Sequence, residues 1–152
     1  MKSHRRPRER SIPPLVRTIH RRVRFEETDA LSYMWHGRYA SWFEDGREDL
    51  GNHYAVSYLD FHGAGVEVPL KTFTVDFKKP LRYGETYAIR TSLLWSDACL
   101  IEFAYAILDG EGTVMTEAQT TQLMISPQGE LLLEPPEFYQ IFREKWKSGQ
   151  IL

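Results

Sequence analysis

Apolar and polar positions change period along this chain, and the changes divide it into strand, helix and sheet. From Ile19 to Phe25 apolar and basic residues alternate, the period of a strand with one covered face, and the run ends near Glu27. Residues 30–35 read as a short irregular connection. From His36 to about Tyr54 the residues Tyr39, Trp42, Phe43 and Leu50 recur at helical spacing, with Gly46 on the same stripe. Arg38, Ser41, Asp45, Glu48 and Asp49 fall on the other side, so the spacing predicts an amphipathic helix with one buried face. Gly46 costs such a helix about 1 kcal/mol relative to alanine, which suits a close approach of helix to sheet. Residues 55–65 read as a loop punctuated by Gly63 and Gly65. Beyond it the period is two: Phe73, Val75 and Phe77 alternate with Thr72, Thr74 and Asp76. Tyr87, Ile89, Thr91, Leu93 and Trp95 form a second stripe, and Ile101, Phe103, Tyr105 and Ile107 a third. A last strand runs from Thr113 to about Ile125. Turn material separates these runs at Pro80 to Glu85, at Ser96-Asp97-Ala98 and at Asp109-Gly110-Glu111-Gly112. Pro135-Pro136 opens a short terminal helix that ends near Lys147.

The order strand, long helix, four long antiparallel strands, helix predicts an α+β architecture with an antiparallel sheet carrying the helix on one face. At 152 residues the chain makes one domain, assigned to 16–152, behind a flexible basic tail over 1–15. The first ten residues are rich in arginine and lack an apolar residue beyond Met1, so they have nothing to bury. No aromatic residue interleaves with those arginines, and a formal charge of −2 gives no general pull toward nucleic acid or an anionic membrane. No apolar run approaches spanning length and no secretory segment is visible, which makes a cytoplasmic protein the expectation. Cys99 is the only cysteine, which excludes an internal disulfide and a cysteine metal cluster. The five histidines show no paired ligand spacing, so no metal is expected.

Chemistry concentrates at the strand–helix junction. Asp29 follows the first strand, where a carboxylate commonly serves as a helix cap or turn residue. His36 stands seven residues later, at the start of the helix, close enough for its ring to share a site with Asp29. A helix that begins near His36 turns unpaired backbone N–H groups and the positive end of its dipole into the same place. Such an end stabilises an oxyanion formed on a carbonyl, each donor being worth about 3 kcal/mol in the transition state. Glu44 and Arg47, at i and i+3, are placed to pair along the helix and to seat it against the sheet or a partner subunit. Tyr39, Trp42 and Phe43 read as core.

The run from Thr28 to Arg47 resembles the signature of the hotdog-fold acyl-CoA thioesterases, the 4-hydroxybenzoyl-CoA thioesterase group. Asp29, Ala30, His36, Tyr39, Phe43, Glu44 and Arg47 fall in register with it. Ser32 stands where the family usually carries glycine, and Met34 where it usually carries valine. The first departure puts a side chain at a position where glycine serves a special backbone conformation. The resemblance covers about residues 17–126 and implies a hotdog fold, a curved five-stranded antiparallel sheet wrapped around one long central helix. It implies hydrolysis of an acyl-CoA thioester, with Asp29 as the catalytic carboxylate, either nucleophile or general base. His36 then supplies its backbone N–H to the carbonyl, or its ring orients Asp29 or protonates the leaving thiolate. Tyr33 and Trp35 are candidates for the wall of the acyl pocket. Lys78, Lys79 and Arg82, with Arg90 further on, are candidates for the phosphates of coenzyme A, which enters as part of the substrate and not as a cofactor. A homodimer or a dimer of dimers with sites at the interface is implied as well, and acyl-carrier protein is an alternative thioester donor. Two other readings compete: a hotdog hydratase or dehydratase, which usually carries its acid or base further along the helix, and a non-catalytic acyl-thioester binding module.

Overall fold

Five strands and three helices account for most of residues 12–151, the part of the chain that the computed structural model describes. The strands are β1 (Leu15–Arg22), β2 (Leu70–Phe77), β3 (Thr86–Leu94), β4 (Leu100–Leu108) and β5 (Val114–Leu123). They form one antiparallel sheet in the order β1-β3-β4-β5-β2, so β1 and β2 are its edges. The helices are α1 (Tyr39–Tyr54), α2 (Tyr58–Gly63) and α3 (Glu137–Lys147). This is the hotdog arrangement: a curved sheet around the long central α1. No helix of the described residues is long and apolar enough to cross a membrane.

The core forms where the two periods meet. Tyr39, Trp42, Phe43, Leu50 and Gly46 are buried on one face of α1, as the stripe predicts. They pack on the inward residues of the sheet, among them Ile89, Leu93, Phe103, Tyr105 and Ile107. Gly46 has the role expected of it. A methyl group there would overlap Thr91 Oγ1 on β3, so the helix lies closer to the sheet than any side chain at this position permits. The residue that ends α1, Ala55, is left-handed at φ 56°, and Val56 N–H donates back to the Gly51 carbonyl at 2.9 Å.

Three elements differ from the pattern reading. The helix expected from His36 begins instead with a 3-10 turn over His36–Arg38, and α1 proper starts at Tyr39. The stretch 55–65 holds a helix, α2, because Ser57 and Asp60 cap it reciprocally: Asp60 N–H donates to Ser57 Oγ at 3.2 Å and Ser57 N–H to Asp60 Oδ2 at 2.8 Å. The first strand starts at Leu15, four residues earlier than its alternation suggests, and ends at Arg22. Of the expected tail, residues 1–11 lie outside the described residues. Ile12 packs on the core, and the Pro13 carbonyl accepts the Trp146 indole N–H at 2.9 Å, which ties the entry to β1 against α3.

Candidate active site

Glu27 organises the junction between β1 and α1. Its side chain is only 3% exposed and accepts three hydrogen bonds: from Arg21 Nη2 at 2.7 Å, from the Trp42 indole at 2.9 Å and from Arg24 N–H at 3.0 Å. Burial on its own pushes the carboxyl pKa up, but these donors outweigh it and hold the group below its ordinary value. Strand, helix and connecting turn are thereby pinned to one carboxylate. The Glu27 carbonyl accepts Trp35 N–H at 2.8 Å, Thr28 pairs with Met34, and Asp29 N–H donates to the Tyr33 carbonyl at 2.8 Å. These contacts fold residues 27–35 into a narrow two-stranded ladder whose tip carries Asp29.

The Asp29 carboxylate is exposed on the protomer, and it is not loose. Oδ1 accepts Leu31 N–H at 2.8 Å and Tyr33 N–H at 3.3 Å, a turn closed by its own side chain. Both bonds land on Oδ1, and Oδ2 has no hydrogen-bond partner among the described residues. The ladder places Asp29 two rungs from the pair Glu27–Trp35, a backbone offset of roughly 7 Å from the residue that precedes the helical turn. Ser32, at the bend of this loop, has φ 65°. The glycine-type conformation is therefore kept without the glycine, at a cost of order 1–2 kcal/mol.

At the start of the helical turn no side chain caps the backbone: neither Trp35 nor Arg38 contributes a side-chain hydrogen bond to the helix it precedes. The first N–H groups are thus available to an incoming acceptor. The His36 ring is exposed and rests against the Trp35 indole, centroids 5.0 Å apart and planes at 49°. That indole also lies over Gly37, where a methyl group would overlap it. Tyr39, the first residue of α1, packs edge-on against Phe77 at the end of β2 with centroids 4.8 Å apart. The helix start and the β2 edge therefore adjoin.

The other candidates are distributed unevenly. Tyr33 is half-buried beneath the Arg82 guanidinium, which sits 5.7 Å from its ring centre. Lys78 is directed elsewhere, with Nζ 3.0 Å from Asp76 and 3.8 Å from Glu117. Lys79 is exposed and adds a minor charge effect at Asp109, whose carboxyl is held below its ordinary value first of all by the Thr113 N–H. The three cations that adjoin in the sequence accordingly have different surroundings. Among the described residues no three metal-ligating side chains converge.

The model of the thioesterase-like superfamily matches residues 23–142. The chain belongs to that superfamily. YneP of Bacillus subtilis is 28% identical over 127 residues, covering 84% of this chain and 89% of that protein. The acyl-CoA thioester hydrolase YbgC of Escherichia coli O6:H1 is 24% identical over 106 residues, covering 70% of this chain and 79% of that one. In fold, a DHNA-CoA thioesterase from Staphylococcus aureus superposes with a TM-score of 0.77 at 24% identity, over 89% of this chain and 91% of that chain.

Two residues of this superfamily member behave differently from their sequence reading. Glu44 and Arg47 do not form an ion pair. Arg47 is buried between the rings of Tyr58 and Phe103, at 4.0 and 4.9 Å, and its Nε donates to Gln122 Oε1 on β5 at 3.0 Å. Glu44 stays exposed and accepts the Tyr58 hydroxyl at 3.3 Å. The reason is distance from water: the inward side of α1 at Arg47 faces aromatic rings, so the long side chain packs flat on them and reaches a neutral acceptor. In the sequence Glu27 marks only the end of a strand. Its sole signal in the sequence is a carboxylate two positions before Asp29 with Arg21 and Arg24 upstream, and the third partner, Trp42, lies one turn into α1.

Proposed function

We propose that this protein hydrolyses an acyl-CoA thioester to the free acid and coenzyme A. The observation that carries the reading is Asp29: one carboxylate oxygen is fixed by two backbone N–H groups and the other is open, two ladder rungs from an uncapped helix start. The names of relatives such as YbgC support the substrate class. A thioester carbonyl seated with its oxygen on the N–H groups near His36 presents its carbon toward Asp29 Oδ2. On the nucleophilic route Oδ2 attacks that carbon, the C–S bond breaks with the electron pair leaving on sulfur, and water then cleaves the mixed anhydride. On the general-base route Oδ2 takes a proton from the attacking water, and the proton passes to the departing thiolate. In this reading the His36 ring delivers a proton to that sulfur on the nucleophilic route. Neither route needs a cofactor.

The active unit is a homodimer built along β2. That edge strand is exposed at Leu70 (50%), Phe73 (41%) and Phe77 (51%), apolar residues that a second sheet edge would cover. Because Phe77 touches Tyr39, a partner on β2 also roofs the helix start and shields Asp29 from bulk water.

Asp29→Asn tests the assignment. Amide and carboxylate are nearly isosteric, so folding is retained while thiol release from a panel of acyl-CoAs falls by about 100-fold or more. Turnover like the wild type in the Asn variant would remove Asp29 from the mechanism. His36→Ala is expected to cost less, since the backbone donor survives. Single turnover in heavy-oxygen water tests the nucleophilic route: label appearing in the Asp29 carboxylate requires a mixed anhydride opened at that residue, whereas label in the acid alone arises from a base or from an anhydride opened at the acyl carbon.

A further inference from the structure

The seam between α1 and β2 starts at the helix turn near Asp29 and has a definite end. Helix and strand run antiparallel there, so successive turns of α1 meet successive inward residues of β2. Tyr39 meets Phe77 at 4.8 Å and Phe43 meets Phe73 at 6.1 Å, both pairs edge-on. Phe43 is backed by Tyr105 at 5.0 Å. Phe73 and Phe77 point at the helix and are still 41% and 51% exposed, so the two elements touch only along ring edges and the seam stays open between them. One turn further on, Arg47 donates to Gln122, the residue opposite Leu70 in the register of β2 with β5. There Tyr58 closes the seam. Its hydroxyl donates to Glu44 on α1 at 3.3 Å and accepts from Gln122 Nε2 on β5 at 3.3 Å, while its ring centre lies 4.0 Å from the Arg47 guanidinium. A side chain of α2 is thereby strung across from helix to sheet.

We propose that Tyr58 is the stop that limits the length of the acyl chain this protein accepts, a specificity-determining residue on a different element from Asp29. The proposal rests on the acyl-CoA reading above, which seats the thioester carbonyl at the helix start where the seam opens. Along the seam the rings of Phe77, Phe43 and Phe73 offer apolar surface on which methylene groups leave water. At its end the surface turns polar. A methylene driven against Tyr58 displaces two hydrogen bonds and makes none in return. The limit follows from the rise of the helix. From the turn at His36, at about 2 Å per residue, to Glu44 in α1, at about 1.5 Å per residue, is roughly 13 Å. An extended chain advances about 1.2 Å per bond, so the seam takes an acyl group of about ten carbons. A longer one has to leave the seam or push Tyr58 aside. Glu44, Arg47, Tyr58 and Gln122, which form the stop, all belong to one protomer.

The experiment runs straight-chain acyl-CoAs from butyryl to palmitoyl, with S-alkyl-CoA thioethers of the same lengths as probes that cannot be hydrolysed. Wild-type kcat/KM should peak near decanoyl-CoA and be at least about tenfold lower for palmitoyl-CoA. Thioether affinity, by calorimetry, should rise about threefold to fourfold per methylene up to the same length and then level off. Tyr58→Ala uncovers the guanidinium face, flat and weakly hydrated, over which a longer chain passes. The ratio of palmitoyl to octanoyl kcat/KM should then rise at least about tenfold, with octanoyl itself within about twofold of the wild type. Tyr58→Leu, a milder truncation that still covers the guanidinium, should move the limit the same way by less, and it decides the matter if the alanine variant does not fold. Tyr58→Phe keeps the ring and should keep the limit. A wild type that prefers palmitoyl-CoA, or truncated variants whose profiles keep their shape or fall equally at every length, would overturn the stop. If the wild type cleaves none of the thioesters, the hydrolase reading fails, and the levelling of thioether affinity still decides whether Tyr58 ends the seam.

Discussion

The two edges of the sheet are built to opposite specifications. On β1 the residues turned toward α1 include Arg17 and Arg21, and they reach across to Asp49 and Asp45 on the outer side of the helix. The strand is thereby covered by its own helix and studded with charge, which discourages pairing with another chain. On β2 the corresponding inward positions are Phe73 and Phe77, which pack on Phe43 and Tyr39 and still remain largely exposed. One edge is closed by ion pairs within the protomer. The other is an apolar face that lacks its cover. Since Tyr39 at the start of α1 meets Phe77 at the end of β2, and the ladder that carries Asp29 leads into that helix start, the unfinished edge adjoins the candidate chemistry.

Breaking the open edge should have the largest effect. Phe73→Asp puts a charge on the strand twice in a symmetric dimer, and sedimentation should show association weakened by at least about 100-fold in favour of the monomer. Thioesterase activity should fall with it, while circular dichroism keeps the protomer's spectrum. Val16→Asp on β1, also an exposed apolar position, should leave the assembly as it was. If both substitutions acted alike, the contrast between the edges would have no functional meaning.

The closed edge has its own anchor, and Glu27 is the place to test it. Glu27→Ala strands the Trp42 indole and Arg24 N–H without an acceptor and is expected to cost about 2–3 kcal/mol in urea unfolding. Glu27→Gln, which keeps one acceptor oxygen, should cost about half of that. The pH dependence has a definite sign. The folded pKa of Glu27 lies below the ordinary 4.5, so its contribution is fully present above that pH and is lost as pH falls through the folded value. Wild-type stability should therefore decline more steeply below about pH 4.5 than that of Glu27→Gln. Parallel acid slopes would show that Glu27 does not hold the junction through its charge.

How far all this was legible beforehand follows from which contacts are local. The stripe on α1 and the alternation of β3, β4 and β5 carry their own period, so helix, sheet and core could be read directly. The start of β1 could not, because Arg17 and Arg21 occupy positions on its inward face and break the alternation. The signal for α2 was only the Ser57 to Asp60 spacing, masked by the glycines that follow. Asp29 and His36 lie within one motif, and their neighbourhood was legible for that reason. Tyr58 and Gln122 come together only through the placing of α2 against the sheet, and nothing in the periodicity of either segment announces it.

The smallest expected effect concerns the outermost contact of the closed edge. Arg21 bridges two carboxylates of unlike surroundings: buried Glu27 at 2.7 Å and half-exposed Asp45 at 2.5 Å. Geometry alone would rank the Asp45 contact first, since it is the shorter. Solvent reverses the order. A pair at the surface gains little over its separately hydrated ions, and salt screens what it gains. Asp45→Asn should therefore cost at most about 0.5 kcal/mol, and that cost should shrink further in high salt. The Glu27 variants should keep most of their loss under the same conditions, because their lost partners are buried. A destabilisation by Asp45→Asn as large as that by Glu27→Ala would mean that β1 is held by its surface charges, and that the arginines fasten the edge instead of merely guarding it.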